Sequence, residues 1–202
     1  DSQNNTNGND ICSWNWKAGG AGSSNGNGSI TSTVSASTAS GFSIVKWAGS
    51  GANATIGHGL SAVPTMIITK SSGTSSWSVY HASLGNTKTL FLESNGTGNT
   101  HIAYYNNTSP TSSVFSVGTD DAVNHSGNDM IAYCFADIVG YQKCGSYTGS
   151  GNSDGPMVYT GFKPAMVYFK RTGSGTANWQ MWDNKRDPDN PVEKALHPDI
   201  VN

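Results

Sequence analysis

Two stretches of the chain, one hundred residues apart, carry nearly the same words. The first reads Trp47-Ala-Gly-Ser-Gly51, then Pro64, Thr-Met-Ile-Ile-Thr-Lys70 and Trp77. The second reads Tyr147-Thr-Gly-Ser-Gly151, then Pro164, Ala-Met-Val-Tyr-Phe-Lys170 and Trp179. Gly49 and Gly149, Gly51 and Gly151, Pro64 and Pro164, Met66 and Met166, and Lys70 and Lys170 stay in register without a gap. The segment Asn9-Asp10-Ile11-Cys12 also rhymes with Asn128-Asp129-Met130-Ile131-Ala132-Tyr133-Cys134. A duplicated supersecondary unit constrains the fold strongly, because each copy needs a neighbour to bury its apolar face. Residues 42–81 and 142–183 are therefore expected to build the same scaffold twice. The shared words (Gly turns, a Pro-led strand, a Trp anchor) describe packing, and they argue against a lone catalytic constellation.

Between these words the chain is punctuated every 8–12 residues by Gly, Pro, Asn or Ser. Such spacing is the mark of many short strands in a sandwich or jelly roll. Strands are expected at 30–34, 42–47, 55–57, 65–70, 77–81, 89–93, 102–106, 114–117 and 130–138. The second copy adds 143–148, 157–160, 165–171 and 179–183. Only 191–196 reads as one helical turn, since Pro188, Pro191 and Pro198 limit anything longer. The fold expected is all-β, an antiparallel β-sandwich of jelly-roll type with an internal repeat and little helix. Residues 1–29 read as a polar N-terminal arm: one strand at 11–16, then a flexible Gly/Ser/Asn linker over 18–29. Residues 30–202 read as the sandwich domain. Residues 82–127 have no counterpart in the chain, so the layout fits a window on a longer array.

Composition narrows the function classes. Gly, Ser, Thr and Asn make up 92 of the 202 residues, yet six Trp and eight Tyr supply core material. With low net charge this is a folded, polar-surfaced protein rather than a disordered one. A net charge of −2 provides no general attraction for nucleic acid or an anionic membrane. No apolar run approaches the ~18–20 residues of a membrane-spanning helix, so neither a nucleic-acid partner nor membrane insertion is expected. Cys12, Cys134 and Cys144 lack zinc spacing. Cys12 and Cys134 read as small apolar residues in matching strands, with a Cys134–Cys144 bridge as an alternative.

Motifs that could carry chemistry are weak. Gly57-His58-Gly59 reads as a tight turn, and no nearby carboxylate is proposed by spacing. Asp120-Asp121 and Asp187-Pro-Asp189 lack the alternating ligands of a calcium loop and read as solvated turns. No phosphate-binding or dinucleotide fingerprint occurs. No catalytic, cofactor-binding or metal-ligating residue is expected, and no enzyme activity. Trp77, Trp179 and Trp182 are the candidates for contact with a glycan, because aromatic faces suit the C–H faces of sugars. The competing reading places Trp47, Trp77, Trp179 and Trp182 in the core.

An ordered series of words runs through most of the chain: Gly41-Phe-Ser-Ile-Val-Lys-Trp47, Ala54-Thr-Ile-Gly-His-Gly-Leu60, Val79-Tyr-His-Ala-Ser-Leu84, Thr111-Ser-Ser-Val-Phe115 and Ala132-Tyr-Cys-Phe-Ala136. Cys144-Gly-Ser-Tyr-Thr-Gly149, Asp154-Gly-Pro156, Val158-Tyr-Thr-Gly-Phe162 and Arg186-Asp-Pro188 continue it. Over about residues 30–200 this series resembles a family of β-sandwich domains in marine phage and prophage proteins, described as tail-fibre-like or other virion structural proteins. Most members of that family have Tyr where this chain has Trp47. The resemblance implies a virion surface component with no catalytic residues to carry over. It implies partners among other virion proteins and copies of itself, and host-surface glycan as a further partner. The alternatives are a carbohydrate-binding adhesin and, less favoured, a glycan-degrading enzyme.

Overall fold

The computed structural model describes residues 7–8, 13–189 and 191–200. Among them the regular secondary structure is almost entirely antiparallel β. One eight-stranded sheet has the order β1-β2-β3-β10-β5-β6-β7-β8, formed by Ser23–Asn25, Ser32–Ser37, Phe42–Ala48, Asp129–Phe135, Met66–Ser71, Ser78–His81, Lys88–Phe91 and Asn99–Thr100. A short sheet of β4 (Ala54–Gly57) and β9 (Val114–Val117) lies across its inner face, and β11 (Met166–Phe169) pairs with β12 (Gln180–Asp183). The architecture is sandwich-like.

Alternation decides which face each strand buries. On β3, Ser43, Val45 and Trp47 point inward and are buried, while Lys46 and Ala48 are exposed. On the central strand β10, Met130, Ala132 and Cys134 are fully buried. Ile56, Phe115 and Val117 close the core from the small sheet. Trp47 meets Phe115 edge-on at 5.7 Å between ring centroids, a favoured aromatic geometry.

Two helical turns, α1 (Ile102–Tyr105) and α2 (Asp121–Asn124), seal one end of this core. The expected strand at 102–106 is α1. The His101 side chain accepts the Ala103 N–H, and Asn106 ends the turn in the left-handed region at φ 48°. The Tyr105 hydroxyl lies 2.8 Å from Thr89 Oγ1 and 3.3 Å from Ser78 Oγ, which anchors the turn inside the sheet. Residues 191–196 form no helix among the described residues; Leu196 instead bridges Met181.

The two hairpins, β5–β6 and β11–β12, share their bonding. Met66 faces His81 across the first hairpin, and Met166 faces Asp183 across the second. In each, the residue after the strand pair closes on the residue before it: Ala82 N–H to Thr65 O at 2.8 Å, Asn184 N–H to Ala165 O at 3.0 Å. Trp77 N–H donates to Glu93 Oε2 at 3.1 Å and Trp179 N–H to Asp199 Oδ1 at 3.2 Å. Lys70 Nζ and Lys170 Nζ both donate to carbonyls of their hairpin loops, Gly73 and Ala177.

The second hairpin packs on the back of the first. Val79 and Leu90, on the outer face of the large sheet, are buried with Trp179, flanked by Met66, Ile68 and Tyr168. The Tyr168 and Trp179 rings stack at 4.9 Å.

Further expectations are corrected. Segments 143–148 and 157–160 carry no strand. Cys134 and Cys144 are free thiols, not a bridge; Cys12 and the first part of the strand expected at 11–16 lie outside the described residues, and 13–16 is not a strand. The stretch 18–29, expected as a flexible linker, instead holds β1, which bonds β2. A side chain at Gly19 would sit 2.2 Å from the Ala36 carbonyl, and one at Gly28 2.2 Å from that of Thr55. The glycines there admit close backbone contact.

Candidate interaction surface

The structure separates the three tryptophans expected at a glycan site. Trp179 is only 4% exposed, with its ring stacked on Tyr168 and its indole N–H donated to the Phe91 carbonyl at 2.8 Å. Burial on both counts removes it from glycan contact; it is a core residue. Trp182 is half-buried against the edge of Phe169 at 5.1 Å. Trp77 is the most open of the three, at 36%.

Several titratable groups serve the fold. His58 has no solvent exposure; its Nε2–H donates to Thr111 O at 3.1 Å and its Nδ1 accepts the Leu60 N–H at 3.2 Å. Burial holds this imidazole below its usual titration range, partly offset by the Thr111 carbonyl. Gly59 turns the chain beside it at φ 70°. Burial pushes the Cys134 thiol up to about 12 and the Cys144 thiol up to about 11. Asp120 accepts the Ala122 N–H as an N-cap, and Asp187 accepts the Glu193 and Lys194 N–H groups. Asp183 takes the backbone N–H groups of Arg186 and Lys185 and the Arg186 guanidinium, which hold its carboxyl below the usual range. Among the described residues no three His, Cys, Asp or Glu side chains gather as metal ligands.

What the surface offers is an unfinished second copy. In the first, β5 is bonded on both sides, by β6 and by β10. In the second, β11 is bonded by β12, and no strand among the described residues bonds its other edge. The face equivalent to the first core is open as well. Ile67 is buried, but Val167 is 44% exposed; Trp47 is 2% exposed, but Tyr147 is 54% exposed. Val139, Tyr141, Met157, Val158 and Tyr159 are exposed along the same stretch. Sequence reading took 143–148 and 157–160 as strands of the second copy, and so missed these residues as surface. The missing signal was the partner strand, which a local word match does not supply.

A second feature is a broad groove of about 540 Å³ on the outer face of the large sheet, floored by Ile44 and Ile131 and walled by Ala18, Gly20, Gly22 and Lys46.

Comparison with known proteins adds one relationship. The model of a domain of unknown function, DUF7483, matches residues 1–202. The chain belongs to the DUF7483 family. No curated protein and no solved structure matches it. The open β11 edge and the exposed 139–159 stretch are thus surface features of a DUF7483 chain.

Proposed function

We propose that the protein is a structural component on the surface of a phage particle, a tail-fibre segment or a capsid decoration, acting through contacts between copies and with other virion proteins. The observation that carries the reading is the half-built second copy: a strand edge that no described strand bonds, and exposed Tyr147, Met157 and Tyr159 in the same repeat segment. Exposed apolar surface of this kind marks interaction sites, and an open edge is a template for strand pairing. The resemblance read in the ordered sequence words points the same way. The titratable side chains described above are occupied in capping and packing, in keeping with a scaffold.

The test is to purify, on a density gradient, the phage particles whose genome encodes the chain. Its peptides are expected in the particle band, and gold-labelled antibody is expected on the tail or shell. Absence from the particles contradicts the proposal.

A second reading, a carbohydrate-binding adhesin, draws on Trp77, the partly open tryptophan. It predicts binding on a glycan array that Trp77→Ala abolishes; an array without signal removes it.

A further inference from the structure

We infer that the groove on the outer face of the large sheet binds a neutral glycan, with a sugar ring on Ile44 and Ile131 and its hydroxyls on the Lys46–Asp129 pair. The site is separate from Trp77 and goes beyond both readings above.

The chain itself covers the rest of that face. Ile68, Val79 and Leu90 lie side by side across β5, β6 and β7, and Trp179 and Tyr168 pack over them. Phe42 and Phe135 face each other across β3 and β10, and Trp16 packs over both, at 6.3 and 5.7 Å. The Arg186 guanidinium stands 5.8 Å from the Trp14 ring and bonds Asp183, so the two covers meet. Ile44 and Ile131 alternate with buried Val45, Met130 and Ala132, point outward and stay only half-buried. They form the floor of the groove.

The groove is built into the fold. Ser35 Oγ donates to Gly20 O at 2.6 Å and Ser40 Oγ to Lys17 O at 2.8 Å, which fixes the stretch 17–22 as a wall beside β2. A Cβ on Gly22 would stand 2.7 Å from the Thr33 methyl, so glycine lets the wall stand close. The volume of about 540 Å³ lies within the roughly 300–1,000 Å³ of small-ligand sites.

The lining selects the class of ligand. Strands β3 and β10 below it are bonded on both sides, so the floor offers no free main chain to a peptide strand. Lys46 Nζ meets Asp129 Oδ2 at 2.8 Å, so the cation is already neutralised and gives no hold on a polyanion. Thr33, Ser35 and Lys46 interrupt the apolar surface that an acyl chain needs. A neutral sugar suits what remains. Its C–H face matches the two isoleucines, and each hydroxyl both donates and accepts. An ammonium beside a carboxylate offers both roles, and the two side chains are 58% exposed.

The test screens the full chain on an array of neutral and acidic oligosaccharides and titrates the strongest ligand by calorimetry. A neutral glycan is expected. Ala18→Trp, which fills the groove from its wall, and Asp129→Asn, which removes the charged acceptor, are each expected to weaken binding about tenfold. Trp77→Ala is expected to leave it unchanged. A second measurement needs no variant: the methyl NMR signals of Ile44 and Ile131 are expected to shift as the ligand is added. A preference for acidic glycans, or shifts confined to other residues, overturns the inference. Binding abolished by Trp77→Ala and untouched by Ala18→Trp overturns the groove and leaves the adhesin reading standing. An array without signal overturns both.

Discussion

Residues 42–81 and 142–183 spell the same hairpin, yet only the first is enclosed. The hairpin geometry is shared to the level of individual bonds, including the carboxylate that accepts each tryptophan N–H. What differs is everything contributed from elsewhere in the chain. Asn124, fully buried on α2, accepts from the Trp47 indole N–H at 3.3 Å and the Ser50 N–H at 3.0 Å, and donates to Ala52 O at 2.7 Å. Gly49 N–H donates to Asn128 O and Gly51 N–H to Asn124 O. The second copy has the same Gly-Ser-Gly turn but no such clamp among the described residues, and Gly149 and Gly151 have open space around them. Local words thus make a hairpin, and distant residues make it a core.

The largest expected effect tests this contrast at its aromatic pair. Trp47→Ala should cost about 3–5 kcal/mol in denaturant unfolding, whereas Tyr147→Ala should stay within about 0.5 kcal/mol. Comparable losses would mean that the second copy is enclosed in solution.

Asn124→Ala should follow, at about 2–3 kcal/mol, because it leaves the buried Trp47 indole N–H without its partner and frees the part-buried Ser50 N–H. Its unfolding midpoint, measured beside Trp47→Ala, should show strong non-additivity in the double variant.

A smaller contrast lies in the turns. A Cβ on Gly49 would stand 2.0 Å from the His125 carbonyl, but one on Gly149 would touch nothing. Gly49→Ala should cost about 1–3 kcal/mol of overpacking and Gly149→Ala should be nearly silent in the same thermal melts.

The mildest effect is pH dependence, carried by His58, whose place in the second copy is taken by Val158. Burial depresses the folded-state pKa of His58, and likewise that of His81 despite Asp137. Both are neutral when folded and gain a proton on unfolding near pH ~6.5. Their contribution is complete above that pH and is lost as pH falls through it, by at most about 1.4 kcal/mol per pH unit for each. Melting points from about pH 7.5 down to about pH 5 should fall, and His58→Gln should flatten the slope.

Much of the fold was legible where pattern and partner lie in the same stretch. Val114–Val117 is a short, mostly apolar run bounded by turn residues, and it is a strand as expected. The Pro-led strands and the tryptophan hairpins were legible through the repeat. Ile102–Tyr105 was misread because a short apolar run suits a strand or a helical turn equally; the caps at His101 and Asn106 were the available clue. β1 carries no side-chain pattern, since Ser23–Asn25 is held by backbone bonds to β2. The open surface was illegible for another reason: a sequence shows which strands form a match, not which of them finds a neighbour. Nor did the sequence divide Trp77 from Trp179, which differ through the Phe91 carbonyl and the Tyr168 ring.

Hydrogen exchange read by mass spectrometry on the dilute protein tests the difference between the copies most directly. Amides of Met66–Ser71, bonded between two neighbouring strands, should exchange slowly. Those of Met166–Phe169, with one edge open, should exchange much faster and slow down as concentration rises. Equal protection of both strands at every concentration would contradict the account.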